Sequence, residues 1–155
     1  MVMLALADAK SLKKLRCGER RTEMKSQNYQ YTVEIDQSGK VTVGRPGQSL
    51  WTSHRGGHCD KPCKLSMKCD DNSLILIDYR RILFSTKETE TLVLEMTGNN
   101  WASNGYAIIQ NDGDFVIFDG NGKAMWRSDT AGGIQGYGHV HSYNGEYFMK
   151  QKSST

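Results

Sequence analysis

Apolar residues fall along this chain in short runs, and glycine-containing polar turns separate them. The clearest example lies at 110–126. An apolar run ends at Gln110-Asn111-Asp112-Gly113-Asp114, and Phe115-Val116-Ile117-Phe118 follows as a β-rich apolar stretch. Asp119-Gly120-Asn121-Gly122 is a second turn, and Met125-Trp126 closes the unit. Short β-rich runs bounded by such turns predict a three-stranded antiparallel meander.

The pattern occurs twice more. Val33-Glu34-Ile35-Asp36-Gln37-Ser38-Gly39-Lys40-Val41-Thr42-Val43 leads to Trp51, and the stretch from Leu65 to Ile77, turning at Asp70-Asp71-Asn72-Ser73, leads to Phe84. Trp51, Phe84 and Trp126 therefore take the same place in three copies. One copy alone is a small sheet with one apolar face, too thin to be stable. Three copies bury those faces against one another, with the shared aromatic filling the central axis. The prediction is an all-β chain with copies at about 15–53, 54–89 and 90–130. An arm at 1–14 precedes them, and an extension at 131–155 adds one or two strands around Asn144-Gly145. The stretch from Leu12 to Arg21 reads as a helical turn or an early edge strand.

Composition agrees with this picture. The 155 residues suit one domain, and 16 Gly against 2 Pro suit many tight turns. The net charge of +3 has its excess early, in Lys10, Lys13, Lys14, Arg16, Arg20, Arg21 and Lys25, which reads as a solvated arm. No nucleic-acid motif follows and no apolar run is long enough to span a bilayer, so neither partner is expected. The apolar opening Met1–Ala7 is shorter than the roughly 15–30 residues of a secretory signal, although Ala7-Asp8-Ala9 resembles a cleavage site. The compartment stays open, with a secreted setting preferred.

Cys17, Cys59, Cys63 and Cys69 permit two disulfides in three pairings. His54 and His58 precede Cys59 and Cys63, yet their spacing is not that of a standard zinc finger. No metal and no cofactor is expected.

The stretch 110–118, Q-N-D-G-D-F-V-I-F, resembles the Q-x-D-x-N-x-V-x-Y site pattern of the bulb-type (monocot, snowdrop-like) mannose-binding lectins. Gln110, Asp112 and Val116 match it; Asp114 stands where that family has Asn, and Phe118 where it has Tyr. Met125-Trp126-Arg127-Ser128 is similar to the family's W-A-S or W-A-T ending, and Asn100-Trp101-Ala102-Ser103-Asn104 to its W-A-S-N stretch. Leu65-Ser66-Met67 matches a stretch common at the start of the family's second repeat, and Cys17-Gly18-Glu19 sits where the family often opens with S-G-E or a similar turn. The resemblance covers about residues 15–130. It implies a β-prism II fold: three four-stranded antiparallel sheets around a pseudo-threefold axis. It also implies mannose-type glycans or glycoproteins as partners, and a homodimer that exchanges C-terminal strands.

A pyranose offers hydroxyls that donate and accept, together with a patch of C–H bonds. By the resemblance, Gln110 and Asp112 bond the hydroxyls and Val116 touches the ring carbons. Phe118 shares the face of Val116 because strand side chains alternate, but it lacks the hydroxyl of the family's Tyr. One hydrogen bond is worth roughly 0.5–1.5 kcal/mol, so affinity falls up to about tenfold. Asp114 brings a second carboxylate near Asp112, which raises a pKa or invites a cation. Asp114→Asn with Phe118→Tyr is expected to strengthen mannose binding. The other copies offer Ile35, Gln37, Gly39, Val41 and Val43, and Cys69, Asp71, Ser73, Ile75 and Ile77; neither has the Gln, and both read as strand pairs kept for the fold.

No enzyme motif emerges. His139 and His141 lie together without a nucleophile motif, and Asp112 and Asp114 are too close on one turn to flank a glycosidic bond. The rival reading is a prism whose sugar sites have decayed and which serves as a protein–protein assembly module. A third, a membrane-active defence protein, rests on the basic arm.

Overall fold

The computed structural model describes residues 12–36, 38–53, 59, 63–70, 72, 74–78, 81–85, 101–137, 139–141 and 147–150, with backbone alone at 75–78, 81–85, 139–141 and 147–150. The described secondary structure is all strand. Between residues 14 and 25 the chain lays down three short strands, β1 (Lys14–Arg16), β2 (Arg20–Arg21) and β3 (Glu23–Lys25), and each opens a different sheet. Then β4 (Thr32–Ile35), β5 (Val41–Arg45) and β6 (Gln48–Thr52) complete the first sheet, in the order β3-β4-β5-β6. The second is β2-β7-β8-β9, with β7 (Lys64–Met67), β8 (Leu74–Asp78) and β9 (Arg81–Ser85). The third begins β1-β10-β11-β12, with β10 (Tyr106–Ile109), β11 (Phe115–Phe118) and β12 (Ala124–Arg127). It runs on through β13 (His139–His141) and β14 (Tyr147–Lys150). All pairings are antiparallel.

This is the β-prism II architecture, with two four-stranded sheets and a third extended to six. The meander predicted for each copy supplies three strands, and the basic stretch at 14–25 supplies the fourth to every sheet. Leu15 and Met24 are its inward residues, both without exposed surface.

Alternation sets the core. Val33, Val41, Val43, Leu65, Leu74, Ala107, Ile109, Phe115 and Ile117 all turn inward, none more than 1% exposed. The threefold likeness is visible in the register: Trp51 lies opposite Val43, Phe84 opposite Leu76 and Trp126 opposite Ile117, each beside a register shift. The rings of Trp51 and Trp126 meet edge to face, 5.1 Å between centroids, and Phe115 meets Trp126 at 6.3 Å. The Phe84 side chain lies outside the described residues.

One covalent link and one polar clamp tie the second and third sheets, and a second disulfide closes a short loop before β7. Cys17, after β1, bonds Cys69, after β7, and Cys59 bonds Cys63. Asn72, buried and left-handed at φ 58, donates to Ala102 O at 2.8 Å and accepts from Gly105 N–H at 2.7 Å. Asp119 accepts from Ala102 N–H at 3.0 Å, so the Trp101–Gly105 stretch is held between the second and third sheets. Downstream, Gly136 N–H donates to Leu50 O at 2.9 Å, so the segment after β12 crosses to the edge of β6. β13 then pairs with the chain's own β12, which lengthens the third sheet beyond the four strands expected.

Candidate functional site

The β10–β11 hairpin is two-faced because its strands alternate. Ala107, Ile109, Phe115 and Ile117 face the core; Tyr106, Ile108, Val116 and Phe118 face outward. Lys14 pairs with Ile108 from β1, and Arg127 pairs with Val116 from β12, so both share the outer face. Tyr106 and Phe118 lie opposite one another and their half-buried rings stack with centroids 5.2 Å apart. The Lys14 ammonium sits 4.4 Å from the Tyr106 centroid, within cation–π range.

The turn is fixed by backbone bonds. Gln110 N–H donates to Asp114 O at 2.9 Å and Gly113 N–H to Gln110 O at 3.0 Å. Gly113 has φ 96, and a Cβ there would lie 2.8 Å from the Tyr31 ring, so glycine is required on two counts. Asp112 Oδ1 accepts from Asp114 N–H at 3.0 Å, and Asp112 is exposed at the tip. Gln110 is half-exposed beside it.

Asp114 takes a different role from the one expected. It is 1% exposed, and its carboxylate is occupied from within the chain. Oδ1 accepts from the Ser128 hydroxyl at 3.2 Å, Asp129 N–H at 2.8 Å and Thr130 N–H at 3.2 Å, while Oδ2 accepts from Arg127 Nη1 at 3.2 Å. Burial pushes its carboxyl above the ordinary value; the Thr130 N–H, Arg127 charge, Asp129 N–H and Ser128 hydroxyl offset that in part. The cause is burial, where the sequence had pointed to repulsion by Asp112. Asp114 therefore anchors the return of the chain after β12 onto the hairpin and presents nothing to a ligand.

Val116 is corrected too. It has no exposed surface, so a sugar ring does not reach it in this structure. Its cross-strand partner Arg127 reaches Asp114 along the same face. Arg127 stands where the lectin pattern has Ala, and Asp114 where it has Asn. The two departures form one ion pair, with the acid buried and the Arg side chain 29% exposed.

The other copies differ in separate ways. In the first, Val41 N–H donates to Ser53 Oγ as Phe115 N–H does to Ser128 Oγ, so Val41 corresponds to Phe115. The residues matching Gln110, Asp112, Asp114, Val116 and Phe118 are then Asp36, Ser38, Lys40, Thr42 and Gly44. This is one residue removed from Ile35, Gln37, Gly39, Val41 and Val43. A one-residue slip in a strand exchanges its faces, and Val41 and Val43 are core residues without exposed surface; Gln37 lies outside the described residues. The Asp36 carboxylate is spent on its own turn, accepting from Ser38 N–H, Ser38 Oγ and Lys40 N–H at 2.9, 2.7 and 3.0 Å. Burial raises its pKa, but the Ser38 and Lys40 hydrogen bonds and the Lys40 charge outweigh it and leave the group below the ordinary value.

In the second copy, Cys69 stands at the place of Gln110 and is bonded to Cys17. Asp71 and Ser73 lie outside the described residues, as do the side chains of Ile75 and Ile77. All four cysteines are disulfide-bonded, and His54 and His58 are outside the described residues. Among the described residues no group of three His, Cys, Asp or Glu side chains converges on a metal position, and no helix is long and apolar enough to cross a membrane.

Sequence reasoning missed a second turn at the same end of the third sheet. Asn28 N–H donates to Asn111 Oδ1 at 2.8 Å, and Asn28 Nδ2 donates to Asn111 O at 3.2 Å. These bonds join the β3–β4 turn to the hairpin tip. The sequence carries no signal for a contact 83 residues apart.

No protein-family model and no curated protein matches the sequence. Solved structures do match the fold. One of the monomeric monocot mannose-binding lectins from Gastrodia elata superposes with a TM-score of 0.59 at 20% identity, over 77% of this chain and 98% of that one. A Marasmius oreades lectin superposes with a TM-score of 0.56 at 16% identity, over 77% and 92%. The fold is that of these lectins.

Proposed function

We propose that this chain is a carbohydrate-binding lectin that holds a mannose-type glycan at the β10–β11 turn of its third sheet. One observation carries the reading: Gln110 and Asp112 stand at the open end of a rigid turn, with Asp112 exposed and Gln110 half-exposed. The amide donates and accepts, and the carboxylate accepts from adjacent hydroxyls. The half-buried Tyr106–Phe118 pair supplies the apolar surface that Val116 does not. Asp114 acts by holding the turn. Of the two carboxylates on this turn only Asp112 faces solvent, so Asp112 and Asp114 do not act as a pair flanking a glycosidic bond, and the site is read as binding without hydrolysis. Mannose is the first sugar to try because the Gastrodia neighbour is described as mannose-binding.

A glycan array with wild type and Asp112→Ala tests this. The expected result is retention of high-mannose glycans by wild type and loss in the variant. Retention of non-mannose glycans alone removes mannose, and retention of none removes the lectin reading. A single site of this kind binds at about −4 kcal/mol, or millimolar, so we also propose a homodimer that adds avidity. The Gastrodia lectins are described as monomeric, and sedimentation decides: a monomer at all concentrations removes the dimer.

The closed state of the second and third copies favours a second reading. Val116 is covered, Asp114 is saturated and Cys69 is disulfide-bonded, as in a prism that has turned to protein–protein contact. Agglutination that sugar inhibits supports the lectin; agglutination indifferent to sugar supports the assembly module.

A further inference from the structure

Tyr29 is 73% exposed, the most open large hydrophobic side chain among the described residues. It also holds φ 59, a left-handed conformation that an aromatic residue rarely adopts. A surface tyrosine is ordinary by itself; one kept in a strained backbone by its surroundings is not. Tyr29 N–H donates to Ser26 O at 2.9 Å, Ser26 Oγ to Asn28 Oδ1 at 2.6 Å, and Gln30 N–H to Asn28 Oδ1 at 3.1 Å. Ser26 itself is buried. The turn is therefore built, and its ring is held out into solvent.

The turn's location gives the ring a use. Asn28, next to Tyr29, is joined by two hydrogen bonds to Asn111, which lies between Gln110 and Asp112. The next inward residue, Tyr31, packs its ring against Gly113 of the same hairpin. Neighbouring Cα atoms are about 3.8 Å apart, so Tyr29 stands one residue beyond a direct bond to the proposed sugar site. An exposed aromatic face is apolar, and the C–H face of a pyranose is its complement.

We propose that Tyr29 is a second sugar subsite, on which a further ring of the glycan held at Gln110 and Asp112 stacks. This rests on the lectin reading above and extends it from a monosaccharide to an oligosaccharide. The chain would then discriminate by glycan length: a monosaccharide engages the hairpin alone, and a longer mannoside engages both turns.

The test titrates wild type, Tyr29→Gly and Tyr29→Phe with methyl α-mannoside and with a linear mannotrioside. Glycine relieves the backbone strain and removes the ring, which separates folding from stacking. The expected result for Tyr29→Gly is an unchanged or raised melting temperature, unchanged monosaccharide affinity, and trisaccharide affinity lower by roughly three- to tenfold. Tyr29→Phe keeps the wild-type preference. Trisaccharide affinity unchanged in Tyr29→Gly overturns the subsite. So does a wild type that binds both sugars equally, and that outcome leaves the hairpin site standing. A wild type that binds neither overturns the subsite together with the reading beneath it.

Discussion

The Arg127 guanidinium meets Asp114 Oδ2 at 3.2 Å, from the strand position directly opposite Val116. The contact joins two departures from the lectin pattern into one matched pair, and it lies along the face on which a sugar would approach. Reverting Asp114 alone removes the carboxylate from this contact and leaves the guanidinium in place on that face. The double variant Asp114→Asn/Arg127→Ala is predicted to bind methyl α-mannoside about tenfold more tightly than wild type, while Asp114→Asn with Phe118→Tyr gains less. Isothermal titration of the three proteins checks this; equal affinities would show that Arg127 does not obstruct the face.

Breaking the pair from one side has a cost. Arg127→Ala leaves a buried carboxylate without its cation, and Asp114→Ala leaves the N–H groups of Asp129 and Thr130 without their acceptor. Because the Arg side chain is 29% exposed, solvent replaces part of what it gives, and about 1–2 kcal/mol is lost. Asp114→Ala removes all four contacts and costs about 2–4 kcal/mol. Urea denaturation gives both values.

The same carboxylate sets a pH dependence. Burial raises its folded pKa above the unfolded value of about 3.8, so the folded chain holds the proton more tightly. Its contribution to stability is fully present below the unfolded pKa and declines as pH rises through the folded one. The stability of wild type relative to Asp114→Asn is therefore predicted to fall with pH above about 4 and then level off. Denaturation midpoints across the acid range check the slope; a wild type that gains on the variant as pH rises contradicts it.

Cys17–Cys69 closes a loop with a sequence separation of 52, and Cys59–Cys63 one of 4. Chain-entropy reasoning assigns about 4 kcal/mol to the first and about 2 kcal/mol to the second. Cys17→Ser/Cys69→Ser is thus predicted to lower stability clearly more than Cys59→Ser/Cys63→Ser, as measured by denaturation without reductant.

Gly113→Ala is predicted to destabilise by about 1–3 kcal/mol. It combines φ 96 with a methyl group 2.8 Å from the Tyr31 ring. Thermal melting checks it, and a matching loss of sugar affinity would place the cost at the hairpin tip.

How much of this was legible follows from where each signal lies. Period-two alternation and glycine turns are local, so the three meanders could be read from Val41-Thr42-Val43 and Phe115-Val116-Ile117-Phe118. The first strand of each sheet could not, because β1, β2 and β3 are two or three residues long and too short to show a period. The alignment of the first copy is ambiguous by one residue in the sequence, because Val41 and Val43 suit either face until the bond from Val41 N–H to Ser53 Oγ fixes the register. Asp114 reads as a ligand in the motif; its burial depends on Arg127 and Ser128–Thr130, which follow only after another turn. The Asn28–Asn111 contact depends on how two sheets meet, which no local pattern encodes.

The central claim is that a glycan binds at the β10–β11 turn. Its most direct test is an amide-resolved NMR titration with methyl α-mannoside and a high-mannose glycan. The account predicts shifts concentrated at Gln110, Asn111 and Asp112, extending to Tyr106 and Phe118, with the first sheet's Asp36–Lys40 turn unmoved. No shift at tens of millimolar sugar, or shifts confined to another sheet, would contradict it.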